Sequence, residues 1–187
     1  MKSRRFGLVP VAVLLLTGTA LANVKGPSAP AGDEEIAARV SHEVATYPWY
    51  SLWDMVSVKV DHGAVTVSGV VTMPSKKDDI DRIVKRTPGI SGVEDRIQVL
   101  PPSSTDDALR RQLARAIYGD PALAELAALT PPPIHILVEN GHVTLAGVVE
   151  NELQKRVAVV RASSVGMTFG PVVDNLVVEN PPAKKKA

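Results

Sequence analysis

The chain has 187 residues, 45% of them hydrophobic and 22% charged, which is globular composition and excludes an intrinsically disordered protein. It has no cysteine, so disulfides, thiolate metal or redox sites and a lipid-bearing cysteine are all excluded. With 21 basic against 20 acidic residues it lacks the dominant basic surface that neutralises nucleic-acid phosphates.

The first 22 residues read as a signal peptide. Lys2, Arg4 and Arg5 form a basic start, Leu8 to Leu16 an apolar stretch, and Ala20-Leu21-Ala22 a small-x-small site with cleavage after Ala22. The alternative is an N-terminal membrane anchor, because no charge occurs from Phe6 to Val24. Pro10, Gly18 and the threonines dilute that stretch for a span needing about 20 apolar residues. Cleavage leaves 18 basic against 20 acidic residues, a net charge of −2, and no integral membrane span. Disorder is expected over residues 23–32 and over the Lys-rich tail, residues 180–187. Lys184, Lys185 and Lys186 there are read as a solvated end, with a weak contact to an anionic surface as the functional alternative.

From residue 33 the spacing predicts a helix carrying Ile36, Val40 and Val44, with Asp33 as its N-cap and Pro48 beyond its end. Tyr47, Trp49, Tyr50 and Trp53 follow, holding both tryptophans of the chain. A β-hairpin comes next. Val56, Val58 and Val60 alternate with polar neighbours, His62-Gly63 makes the turn, and Val65, Val67 and Val71 are the buried positions of the second strand. A helix over 75–86 turns Ile80, Ile83 and Val84 inward. A strand with Val93, Ile97 and Val99 closes the unit, and residues 101–104 form a short semi-rigid linker.

The unit then repeats. Val58 to Val71 aligns without a gap on Ile136 to Val149 at an offset of 78, with Gly63, Val65, Thr66, Gly69, Val70 and Val71 recurring. Leu109, Leu113 and Ile117 repeat the first helix at an offset of 73, with Thr105 as the expected N-cap. The difference places a five-residue insertion before the second hairpin, where the stiff run Thr130-Pro131-Pro132-Pro133 lies. Asn140-Gly141 is a strong hairpin-turn signal. Gly63, Gly69, Gly141 and Gly147 are read as structural glycines, the strand-interior pair as packing devices. A helix over 152–164 is expected to turn Leu153, Val157 and Val160 inward, followed by a strand with Val172, Leu176 and Val178. The expected fold is α+β: two tandem α-β-β-α-β domains, 33–100 and 105–179, each with two helices on one face of a three-stranded mixed sheet. Whether they pack together or hang as separate beads stays open.

This order, with the hairpin run Val65-Thr-Val-Ser-Gly-Val-Val71 and the late run Gly89-Ile-Ser-Gly-Val-Glu-Asp-Arg-Ile-Gln-Val99, resembles the BON domain, named for an osmotically induced periplasmic protein and nodulation proteins. Val143 to Val149 and Gly170 to Val178 carry the same pattern, departing from it at Pro171 and in the longer Ser163–Gly170 turn. The resemblance implies a periplasmic protein of envelope maintenance under osmotic or envelope stress. It implies binding of anionic phospholipid or of envelope proteins, with no catalysis and no cofactor.

The residues themselves give no catalytic or metal constellation. His42, His62, His135 and His142 lack metal-ligand spacing and read as solvated surface histidines, His135 on the outer side of its strand. Asp78, Asp79 and Asp81 beside Lys76, Lys77 and Arg82 read as a salt-bridged helix exterior. Two features could carry binding. Arg110, Arg111 and Arg115 share one helix and Lys155, Arg156 and Arg161 another. Solvated helix surface is one reading and contact with anionic lipid or a partner is the other, weakened by Asp106 and Asp107 nearby. Tyr47, Trp49, Tyr50 and Trp53 either cap the first core or form an interface. The second alternative makes the chain a periplasmic protein–protein adaptor using the corner near Trp49 and Trp53.

Overall fold

The computed structural model describes residues 32–179. The expected signal peptide, the segment up to residue 31 and the tail from residue 180 lie outside the described residues.

Helix α1 (Asp33–Ala45) buries one stripe, Ile36, Val40 and Val44. Strands β1 (Met55–Asp61) and β2 (Ala64–Val71) form an antiparallel hairpin with Val58 opposite Val67. Helix α2 (Pro74–Arg86) crosses over, and β3 (Gly92–Val99) returns parallel to β2. The second domain repeats this with α3 (Ser104–Tyr118), the single turn α4 (Ala124–Ala127), β4 (Ile134–Glu139), β5 (His142–Val149), α5 (Glu152–Ser163) and β6 (Val173–Val178). The sheet orders are β1-β2-β3 and β4-β5-β6, each mixed. The chain is therefore α+β in two tandem domains. The insertion adds α4, which buries Leu126 in the second core.

The two cores are aliphatic, as the scarcity of aromatics requires. Val65, Val67 and Val71 meet Ile80 and Val84 in the first; Val143, Leu145 and Val149 meet Leu109 and Leu113 in the second. Gly69 and Gly147 have φ of +129° and +120°, and a Cβ there would strike the carbonyl oxygens of Met55 and Pro133. Both positions exclude any side chain, as expected of packing glycines.

The expected helix caps are corrected. The N-cap of α1 is Gly32, and that of α3 is Ser103, whose hydroxyl accepts from the Asp106 amide. Asp33 instead accepts the backbone N–H groups of His62 and Gly63, each at 2.8 Å. Asp106 accepts those of Asn140 and Gly141, each at 2.9 Å. Each first helix thus holds its own hairpin turn by a carboxylate, and the two carboxylates are 73 residues apart.

The face of α5 is also corrected. Gln154, Ala158 and Ala162 are buried, whereas Leu153 and Val160 are exposed. The buried stripe matches Lys76, Ile80 and Val84 of α2 at an offset of 78. Position in the repeat, not side-chain size, sets the rotation of the helix.

The domains dock. The Leu52 carbonyl oxygen accepts from the Ile136 amide at 2.7 Å, and Leu52 and Trp53 pack on the second core. That contact covers part of the free edge of β4, which unpaired strands otherwise leave open.

Candidate functional site

The aromatic segment between α1 and β1 divides its work. Tyr47 and Tyr50 pack on the first core, and the Tyr50 hydroxyl accepts from the Val56 amide at 3.1 Å. The Tyr47 hydroxyl donates to Asp79, and burial together with that carboxylate pushes it up to about 12. Trp53 leaves its own domain for the second core. Trp49 alone stands open, 69% exposed, beside Arg82 and Arg86. The segment is thus core and domain junction together, with one tryptophan left for an outside contact.

A buried ion pair fixes this segment. Lys76 Nζ donates to Asp54 Oδ2 at 2.6 Å, and Asp54 has no solvent exposure. The Asp54 carboxylate also accepts from the amides and hydroxyls of Ser51 and Thr72, so every acceptor position is used. Such satisfaction is what makes a buried pair tolerable. Sequence reading placed Lys76 on a solvated exterior; it is 4% exposed. The signal was available in its repeat partner Gln154, another polar residue on an otherwise apolar stripe.

His135 is likewise corrected. It is 8% exposed, its ring lies 5.6 Å from that of Tyr50 across the junction, and its Nδ1 has no partner. Burial pushes its pKa down, against the opposing pull of the Asp54 and Ser51 backbone.

The six candidate basic residues separate into three kinds. Arg110 is 4% exposed, with Nη2 donating to the Val138 carbonyl and Nη1 to Asp107, both at 2.5 Å, so it is not an open lipid contact. Lys155 and Arg161 are engaged. Arg161 Nε donates to Asp120 at 2.6 Å, and that carboxyl is held below its usual range by the Ala122 amide and by Arg161. Lys155 Nζ donates to the Leu176 carbonyl at 2.6 Å, while Asp174 accepts from the Leu176 amide. Lys77 and Asp95 treat Ile97 of β3 the same way. The outer edge of each sheet is therefore plugged by a lysine and an aspartate, a barrier to strand addition. Arg111, Arg115 and Arg156 are exposed and, among the described residues, make no ion pair.

Arg111 and Arg115 sit at i and i+4 of α3, on one helix face. Arg111 borders a cleft of about 420 Å³ at the domain junction, walled by Trp53, Met73 and the prolines of the linker. Arg115 borders a second of about 410 Å³, mostly apolar, formed by Leu52, Ala114, Tyr118 and Pro132. Asp33, Asp61 and His62 are the one group of potential metal ligands among the described residues. They are half or fully exposed, and Asp33 already holds the hairpin turn.

The repeated hairpin, crossover helix and closing strand decide the family. The sequence matches the BON domain over residues 32–101 and again over 105–180. The chain belongs to the BON domain family. Among curated proteins none matches it in sequence. Solved structures similar to it include two. One is CdsD, a structural protein of the type III secretion system of Chlamydia trachomatis, at 14% identity over 82% of this chain and 66% of that one, with a TM-score of 0.32. The other is the CdsD C-terminal domain, at 14% identity over 80% and 67%, with a TM-score of 0.30. The chain thus spans just under two thirds of the first of these.

Among the described residues no helix is long and apolar enough to cross a membrane. Gly63, Gly69, Gly141 and Gly147 all carry positive φ.

Proposed function

We propose that this tandem BON protein is a non-catalytic component of the bacterial envelope that binds anionic phospholipid and supports envelope integrity under stress. The carrying observation is the pair Arg111 and Arg115. Both are free, both lie on one face of α3, and each stands at the rim of a cleft with apolar walls. Basic residues near a charged bilayer contribute about 1 kcal/mol each, so two give weak, reversible, salt-sensitive binding. Exposed Met73 beside Trp53 offers apolar contact at the same place. Arg156 is a further free cation of the second domain.

Export to the periplasm, with cleavage after Ala22, belongs to this reading and rests on the basic, apolar and small-residue pattern of residues 1–22. So do the domain limits 33–100 and 105–179.

Co-sedimentation tests the reading. The chain from Asn23 to Ala187 is expected to bind vesicles rich in phosphatidylglycerol at low salt, to lose binding at physiological salt, and to ignore phosphatidylcholine. Arg111→Glu with Arg115→Glu should abolish the interaction. Binding that is indifferent to lipid charge or to these reversals defeats the proposal.

A second reading, a protein–protein adaptor, has one observation in its favour. Val148, Val173 and Val177 are at least half exposed on the sheet face of the second domain that turns away from its helices. Strand addition at β3 or β6 is disfavoured by the plugged edges, so a partner would meet this face or Trp49.

A further inference from the structure

The outer face of the second sheet is built differently from that of the first. On the side turned away from the helices, register pairs Thr144 with Val173, Ala146 with Asn175 and Val148 with Val177. None of these side chains is charged. The matching rows of the first sheet are Thr66 with Glu94, Ser68 with Arg96 and Val70 with Gln98. Glu94 and Arg96 form an exposed ion pair there, so that face suits water. On the second sheet Val148 and Val173 are 50% exposed and Val177 60%. A grouped apolar patch of this kind marks an interaction surface.

Part of the same face is already an interface. Its β4 side lies under the first domain: Tyr50 meets His135, the register partner of Ala146. Val70 and Leu100 line one groove with Leu137 and Thr144. Val148 stands at the margin of this cover, bordering a groove shared with Tyr50 and Val56. The open valines therefore continue a buried surface. Strand addition beside them is blocked, because Lys155 and Asp174 take up the carbonyl and amide of Leu176. Face-to-face packing remains, in which two sheets lie about 10 Å apart.

Charge selects the occupant. A face that meets its own copy across a two-fold axis sets residues near their own equivalents, so any charge on it is repelled. These three rows carry none. Asn175, between the two valines of β6, is exposed. Its amide both donates and accepts, so it can pair with itself. Arg96, at the matching place in the first sheet, cannot.

We infer that the open part of this face is covered by the same face of a second copy, with the two-fold axis at Asn175 and Val148, Val173 and Val177 of each copy packed between the sheets. The inference does not rest on the lipid reading, and it makes the chain its own partner on the face that the adaptor reading left to another protein. The patch is small for an interface, so the dimer is weak and dissociates in the micromolar range.

Sedimentation equilibrium of the chain from Asn23 to Ala187, without lipid, tests this. A monomer–dimer equilibrium is expected from low micromolar to near millimolar concentration. Asn175→Asp and Asn175→Lys, each alone, set like charges against each other at the axis and should raise the dissociation constant at least tenfold. Mixed in equal amounts, the two variants should form a heterodimer tighter than either homodimer. Position 175 is exposed in the monomer, so thermal melts of dilute samples should match the wild type, which separates lost association from lost folding. A wild type that stays monomeric throughout, a dimer unaltered by both substitutions, or a mixture that associates no better than its components overturns the inference.

Discussion

The Leu52 carbonyl oxygen accepts a 2.7 Å hydrogen bond from the Ile136 amide, and through it the first BON domain covers the edge strand of the second. Two consecutive residues do this work, because Leu52 and Trp53 also pack on the second core. Trp53→Ala should therefore destabilise the docked state by about 2–3 kcal/mol, as expected for removing a half-buried aromatic. The loss should fall on the second domain, although the substitution is in the first. Hydrogen exchange checks this: the Ile136 amide should exchange much faster in the variant, while Val67 in the first core keeps its protection. Equal loss in both cores, or none at Ile136, would contradict the docking.

Docking should also depend on pH. His135 is buried against Tyr50 with an unpartnered Nδ1, and burial lowers its pKa from the usual 6.5. The groups facing it are the Tyr50 ring, the Ser51 backbone and Asp54, whose carboxylate is already held by Lys76. With the docked pKa depressed, the undocked state binds the proton more readily. The docked state is therefore most stable above pH 6.5 and weakens as pH falls from there toward the depressed value. Ile136 protection should decline between pH 7.5 and 5 in the wild type. In His135→Phe that decline should vanish, and its persistence would assign the effect to another group.

Asp33 and Asp106 hold equivalent hairpin turns but not with equal weight. Asp106 is 2% exposed, so Asp106→Ala leaves two turn amides without an acceptor in a buried place. A loss of about 2–4 kcal/mol follows from two such groups. Asp33 is more open, and the Gly63 and His62 amides hold its carboxyl below the usual range. A depressed pKa contributes stability that is present above the unfolded value of 3.8 and is lost as pH falls through the folded one. Asp33→Asn should thus lower the first domain's stability at neutral pH, change it little below the folded value, and so flatten the acid side of its stability curve. Thermal melts of each variant between pH 2 and 7 separate the two cases.

The repeat made the architecture legible before any coordinates. Gly69 and Gly147 and the hairpin turns followed from a 78-residue offset, and the closing strands from one of 79. What size-based reading got wrong, the repeat could have corrected. Leu153 and Val160 are larger than Ala158 and Ala162, yet the alanines align with Ile80 and Val84 and are the buried ones. Lys76 and His135 were read as surface residues because their neighbours in sequence are polar or solvent-facing. Both are buried by the segment 50–54: Asp54 pairs with Lys76 within the first domain, and Tyr50 meets His135 across the junction. Of the basic candidates, Arg110 lost its surface role for a similar reason: the Val138 carbonyl it binds is 28 residues away.

The plugged sheet edges give the last expectation. Lys155 and Asp174 take up the carbonyl and amide of Leu176, and Lys77 and Asp95 do so for Ile97, so the same device occurs once per domain. β6 also carries Val173 and Val177, both exposed, and an open edge flanked by such residues is a template for strand pairing. Lys155→Ser with Asp174→Ser should leave the second core folded, since Leu176 keeps its packing, but free the edge. Concentration-dependent dimers or larger aggregates are then expected by gel filtration and light scattering at neutral pH, where the wild type shows less self-association. Arg156→Ser, a substitution on the same helix that touches no edge group, should leave the elution profile unchanged. If both variants elute like the wild type, the lysine and aspartate are not what keeps β6 from pairing.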